Sequence, residues 1–214
     1  MEQWKKHKGF IIVTSLITII PMMAGIILWN KLPDSMATHF YFDNTPNGWS
    51  SKLFSVFGLP LFILGAHLFC AFFTSADPKR QGISDKLFKL TLLICPAVSL
   101  ICGIQIYSYA LHMNLNVLFA AKLFLGAVFL LAGNYMPKCR QNYTVGIKLP
   151  WTLADPENWN HTHRLAGWIW ILSGLLLIAS TILNIGNIWS FSVIVAAAAV
   201  IPAVYSFIYY IRHK

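Results

Sequence analysis

Six long apolar runs leave this 214-residue sequence few folds to choose from. They lie at Phe10–Trp29, Leu53–Thr74, Leu87–Leu111, Val117–Gly133, Leu165–Ile185 and Trp189–Ile211. At about 1.5 Å of rise per residue, helices of this length match the ~30 Å hydrocarbon core of a bilayer. No water reaches backbone N–H and C=O groups inside that core, so each run has to satisfy its own as a helix. Charged residues make up 11% of the chain, against roughly one-quarter in an average soluble domain, which argues against a water-soluble fold. The sequence therefore predicts an all-α integral membrane protein, a six-helix transmembrane bundle.

Lys5, Lys6 and Lys8 precede the first run, as basic residues precede the apolar part of a signal peptide. The run is too long for that part and is not followed by a convincing cleavage site, so it reads as a span. A net charge of +9 raises the question of a nucleic-acid partner, but the cations gather at membrane edges. Lys79, Arg80, Lys86 and Lys89 separate spans two and three; Lys138, Arg140, Lys148 and Arg164 separate four and five; Arg212 and Lys214 follow the sixth. The intervening loops carry only Lys31 and Lys52. The positive-inside rule then places both termini and the two basic loops in the cytoplasm and segment 30–52 outside, with no direct role for nucleic acid.

Two units are expected: residues 1–75, with two spans and the outward loop 30–52, and residues 76–214, with four spans and the loop 134–164. Cys70, Cys95 and Cys102 fall within spans and Cys139 in a cytoplasmic-side loop, so no structural disulfide is expected. Without CxxC spacing, a thiolate metal site has no support. Pro21, Pro60, Pro96 and Pro202 are candidate kinks. Trp29, Trp49, Trp151, Trp189, Tyr209 and Tyr210 suit the headgroup region. His67, Gln105 and Lys122 are polar at membrane depth. Interhelical hydrogen bonding is the expected use of the first two, and Lys122 is either buried or snorkels to the interface.

The outward loop should be ordered. Asn44-Thr45-Pro46-Asn47-Gly48 is a turn signal, and Thr38 to Phe42 alternates as a short extended piece. Its candidate ligand-sensing residues are Pro33, His39, Phe40, Asp43, Gly48 and Trp49. His39 with Asp34 or Asp43 could hold a metal, but a folded exterior cap accounts for them more simply.

The polar stretch 143–170 interrupts the oil with Trp, Pro, His and charge. Thr152 followed by Asp155 resembles a capping box, which predicts a short interfacial helix over 152–163. On such a helix Asp155, Trp159 and His163 share one face. His161 and His163, two residues apart, point away from each other, which disfavours a metal. No nucleophile accompanies Asp155 and His163, so catalysis is not expected.

The run GIKLPWTLADPENWNHTHRLAGW resembles the signature of the SdpI-type bacterial immunity proteins: Gly-Ile-Arg-Thr-Pro-Trp-Thr-Leu, then Trp, then Thr-His-Arg-x-x-Gly. Lys148 and Leu149 stand where that pattern has Arg-Thr. LPDSMATHFYFDNTPNGWSSK is similar to the Pro/His/Gly-Trp motif of a small N-terminal domain that often precedes it. The resemblance implies a multi-span protein that protects its cell from a secreted peptide toxin and can hold a transcriptional repressor at the membrane, with no enzyme activity and no cofactor. It implies a partner-facing set of Gly146, Lys148, Pro150, Trp151, Thr152, Asp155, Trp159, Thr162, His163, Arg164 and Gly167. A small transporter or membrane-embedded enzyme built on Lys122, His67 and the Asp155/His163 face is the alternative.

Overall fold

The computed structural model describes residues 2–79, 83–113 and 115–213; Arg80 and Lys214 of the basic flanks lie outside them. Helices long and apolar enough to cross a membrane occupy Lys8–Ile27, Phe54–Ala76, Asp85–Ala110, Val117–Lys138, Pro156–Ile182 and Ile188–Arg212. Five begin and end within a few residues of the apolar runs. The fifth begins nine residues before its run, because one face of its first turns (Asn158, Trp159, Thr162 and His163) is buried against protein through polar side chains while the other is exposed and polar. The chain forms two compact units, one of Met1–Ser75 and Phe88–Ala120, the other of Ala76–Leu87 and Ala121–Lys214.

In the first unit, α1 (Glu2–Lys6), α2 (Lys8–Thr18) and α3 (Ile20–Ile27) follow one another. The break at Ile19 precedes Pro21, which has no N–H to give the preceding turn. A π-helical turn at Phe54–Gly58 leads into α4 (Leu59–Ala76), next to Pro60. α5 (Asp85–Ala110) runs on through Pro96. Polar side chains tie these helices together: Thr14 Oγ and His67 Nε2 are 3.0 Å apart, and Ser99 Oγ donates to Thr18 O at 2.7 Å. Tyr107 donates to Pro21 O at 2.8 Å. Such bonds orient membrane helices where lipid provides no hydrophobic drive between them.

The all-α expectation is amended by an antiparallel hairpin of β1 (Ser35–Phe40) and β2 (Pro46–Ser51). Ser35 pairs with Ser51 and Phe40 with Pro46, with irregular register between Ala37 and Phe40. Asn44 takes the left-handed conformation at φ 70°, which Asn tolerates. Gly48 fits because a Cβ there would lie 2.9 Å from that of His39. Met36 and Leu32 root the hairpin in a core with Val56, Ile106 and Tyr107.

The second unit contains α6 (Val117–Tyr135) from Ala121 onward, a 3-10 turn at Met136–Lys138, α7 (Pro150–Ala154), α8 (Pro156–Ile182) and α9 (Ile188–Arg212). α6 and α8 interlock through glycines. A Cβ on Gly133 would lie 2.8 Å from Gly167 O, and one on Gly167 would lie 2.9 Å from Gly133 O. Seven residues along each helix the relation repeats, with a Cβ on Gly174 falling 2.7 Å from Gly126 O. The pairs run in opposite directions, so this is an antiparallel crossing in which backbones touch where side chains would normally intervene. α8 meets α9 through the Trp170 indole, which donates to Ala198 O at 2.8 Å.

Candidate functional site

The loop from Cys139 to Leu149 has no regular secondary structure, so its backbone polar groups need other partners. Buried side chains supply them. Asn142 has no exposed surface; its Oδ1 accepts from Val145 N at 2.7 Å and Thr144 N at 3.0 Å, while Nδ2 donates to Arg140 O at 2.9 Å. Asp77, 2% exposed, accepts from Tyr143 N at 2.8 Å and Thr144 Oγ at 2.9 Å through Oδ2, and from Lys79 N through Oδ1. Lys79 Nζ donates to Gln141 Oε1 at 2.5 Å, and Gln141 Nε2 donates to Thr152 O and Leu153 O. The last turn of α7 is thereby fastened to the segment after α4.

The expected helix over 152–163 is split at Asp155. Pro156 disfavours helical geometry in the residue before it, and Asp155 is extended at φ −126°, ψ 114°. Pro150 opens α7, whose Thr152 Oγ accepts from Leu149 N at 2.9 Å and donates to Ile147 O at 2.8 Å. Asp155 caps α8 by accepting from Glu157 N at 2.8 Å. It therefore works at the helix start, not alongside the aromatic face.

Trp159 and His163 do share a face. Their rings stack with centroids 3.9 Å apart at 21°. The Trp159 indole donates to Cys139 O at 2.8 Å. His163 Nε2 accepts from Ile147 N–H at 3.0 Å and Nδ1 donates to Trp159 O at 2.8 Å. Because a backbone N–H can only donate, these contacts select the neutral imidazole with its proton on Nδ1. Gly146 crosses the stack at φ +120°, where a Cβ would strike His163 Nε2 and lie 3.0 Å from Trp159. Gly167 ends the signature in the α6–α8 crossing.

A second face binds α9. Trp151 Nε1 donates to Ser206 Oγ at 2.9 Å, and its ring lies 5.2 Å from that of Phe207. Asn158 Nδ2 donates to Ser206 O at 3.0 Å while its Oδ1 accepts from Thr162. Lys148 and Arg164 are exposed, and Lys148 Nζ donates to Thr144 O. Burial pushes the Cys139 thiol above its usual range, partly offset by the Asn142 bond and reinforced by Asp77. The thiol is thus kept protonated and unreactive. His161 is exposed and stacks on Tyr209, facing away from buried His163. Among the described residues, no group of three or more His, Cys, Asp or Glu could hold a metal.

On the hairpin, Pro33, His39, Asp43 and Trp49 are exposed. His39 Nδ1 bonds Asn47 Oδ1, Phe40 meets Tyr109 edge-on at 5.4 Å, and Trp49 meets the same ring at 6.2 Å. Two bonds from Thr45 hold the Asp43 carboxyl below its ordinary range. Gln105 donates to Asn44 at 2.8 Å, tying the turn to α5. His67 has no exposed surface, and Lys122 is half-buried on α6. Asp77, Gln141, Asn142, Asn158 and Ser206 were missed by sequence reasoning. The available signal was the presence of polar residues in or next to apolar runs.

Fold and loop define a multi-pass helical membrane protein with a polar loop packed around a buried Trp-His stack. Residues 138–206 match the SdpI/YfhL protein family, so the chain carries SdpI-type sequence where the signature lies. Residues 16–64, including the hairpin, match a domain of unknown function, DUF1648. The chain is 24% identical to Immunity protein SdpI of Bacillus subtilis (strain 168) over 200 residues, 93% of this chain and 95% of that protein. No solved structure matches it.

Proposed function

We propose that this chain is a membrane immunity protein that protects its cell from a secreted antimicrobial peptide. The observation carrying the proposal is that the segment similar to Immunity protein SdpI includes the whole Gly146–Gly167 arrangement, with each buried signature residue holding a defined partner. In this reading both termini are cytoplasmic, the hairpin faces outward, and the 139–167 loop lies on the cytoplasmic side. Pro33, His39, Phe40, Asp43, Gly48 and Trp49 form the toxin-sensing surface.

The buried part of the signature is scaffolding, and its exposed cations Lys148 and Arg164 meet a cytoplasmic partner, a transcriptional repressor held at the membrane. Toxin binding outside shifts the balance between two arrangements of the protein, which requires that toxin bind one of them more tightly. No covalent chemistry is needed. The test is to express the chain in cells sensitive to a secreted peptide toxin and measure survival. Restored growth supports the reading, and unchanged killing at confirmed membrane expression removes it.

A further inference from the structure

Within the first unit the hairpin turn lies alongside α5, not beyond its end. Phe40 and Trp49 both meet the Tyr109 ring edge-on, at 5.4 and 6.2 Å, while at the turn Asn44 Oδ1 accepts from Gln105 Nε2 at 2.8 Å. α5 ends at Ala110, so from strands to turn the hairpin passes back along the helix. The step from Tyr109 to Gln105 is about 6 Å of helix axis.

The membrane depth of these two residues follows from α5 itself. Lys89 is the last charged residue of that helix. A hydrocarbon core of ~30 Å counted from Lys89 takes up about 20 residues and closes near Tyr109. Helix tilt only pushes that boundary farther toward the helix end. The aromatic group of Phe40, Trp49 and Tyr109 falls on the same level, as interfacial rings do. Gln105 is therefore on the hydrocarbon side of the boundary, and its bond to Asn44 holds the turn there. Irregular backbone at such depth needs its polar groups paired. Tyr41 N donates to Thr45 O at 2.8 Å, Asn44 N to Tyr41 O at 3.0 Å, and Thr45 N and Oγ both to Asp43 Oδ1.

We propose that the turn 41–45 is a lipid-binding surface, and that its partner is the phospholipid layer where acyl chains meet headgroups. Tyr41 and Asp43 are its exposed contacts. Tyr41 offers that layer an amphipathic ring, and Asp43 offers a carboxylate to the ammonium groups of zwitterionic headgroups. A ligand reaches these residues through the bilayer. On the immunity reading, the toxin is met after it has partitioned into the membrane.

The experiment uses the full chain, its four cysteines replaced by serine, in vesicles of phosphatidylcholine and phosphatidylethanolamine. A nitroxide is attached at Tyr41→Cys or, as the reference, at Lys31→Cys, an exposed position at the same end of the unit. Collisions with oxygen, which concentrates among acyl chains, are compared with collisions with a water-soluble nickel chelate. The oxygen-to-nickel ratio should be several-fold higher at 41 than at 31. Gln105→Leu should lower it toward the value at 31, because the turn loses its bond to α5. Equal ratios at the two positions would put the turn in water, and few collisions with either reagent would put it under protein. Either result overturns the proposal, as does a ratio that Gln105→Leu leaves unchanged. If the serine chain does not reach the membrane, Tyr41→Cys and Lys31→Cys are made in the native-cysteine chain and treated with a charged maleimide, with the parent as blank. Tyr41→Cys should then label several-fold more slowly, and equal rates overturn the proposal. Neither readout needs a toxin, so failure here leaves the immunity reading to its own test.

Discussion

Gly146 lies directly over the edge of His163, at a backbone φ of +120° that leaves no room for a side chain. Two penalties coincide there: a conformation that L residues avoid and a collision with an imidazole that cannot move. The ring is held by Trp159 on its face and by hydrogen bonds at both nitrogens. Gly146→Ala is expected to lower stability by about 2–4 kcal/mol, since a left-handed non-glycine alone costs of order 1–3 kcal/mol. Thermal unfolding of the detergent-solubilised protein should show the drop, and an unchanged midpoint would mean the loop does not take this path.

His163 itself can be divided into stacking and bonding parts. His163→Phe keeps an aromatic ring against Trp159 but leaves Ile147 N–H without its acceptor, while Trp159 O keeps only its helical bond. A loss of about 1–3 kcal/mol is expected from the unmet N–H. His163→Ala should lose more, because the stack goes as well. If the two variants unfold at the same midpoint, the ring contact contributes nothing and the hydrogen bonds account for the whole effect.

The glycine crossing of α6 and α8 predicts a graded series. A Cβ on Gly133 meets Gly167 O and Ile171 N, both 2.8 Å away and both backbone, so the helices have to separate. Alanine at 133 or 167 should cost about 1–3 kcal/mol, and valine more, as expected for an overpacked interface. A Cβ on Gly9 or Gly65 would have nothing within 4 Å, and alanine there should be neutral. Equal effects at all four positions would contradict the crossing.

Asp77 is the anchor of the loop on the α4 side. Asparagine keeps its shape but turns one acceptor oxygen into a donor facing Tyr143 N–H and Thr144 Oγ, or Lys79 N–H. Asp77→Asn should therefore destabilise by about 1–3 kcal/mol. It should also make Cys139 react faster with a water-soluble maleimide in the folded protein, because that thiol lies under the same loop. Parental labelling kinetics would show that Asp77 does not hold the loop closed.

How far the sequence reached can be judged from these residues. The spans were legible because membrane depth imposes a local rule, length and apolarity, that each helix obeys by itself. The loop motif was legible as a pattern, and the Trp159–His163 pairing followed from helical spacing. Asp77 was not legible: its partners Tyr143 and Thr144 lie 66 and 67 residues away, and nothing local distinguishes it from a solvated acid. Ser206 was hidden for the same reason, 55 residues from Trp151 inside an otherwise apolar run. The break at Asp155 could have been read, because a proline follows it. The capping-box resemblance at Thr152 drew the helix across it instead.

Lys148 and Arg164 separate scaffold from surface. Both are exposed, whereas Thr152, Trp159, Thr162 and His163 of the same signature are buried. Lys148 Nζ donates to the carbonyl of Thr144, on the protein's surface. Replacing either with alanine should leave thermal stability within about 0.5 kcal/mol of the parent, as surface substitutions usually do. If these cations meet a partner, the double variant should lose protection of toxin-treated cells at unchanged membrane abundance, and Lys148→Arg should retain it. Full protection by the double variant would move the partner-facing surface elsewhere, while a large fall in abundance would show that the two cations belong to the scaffold after all.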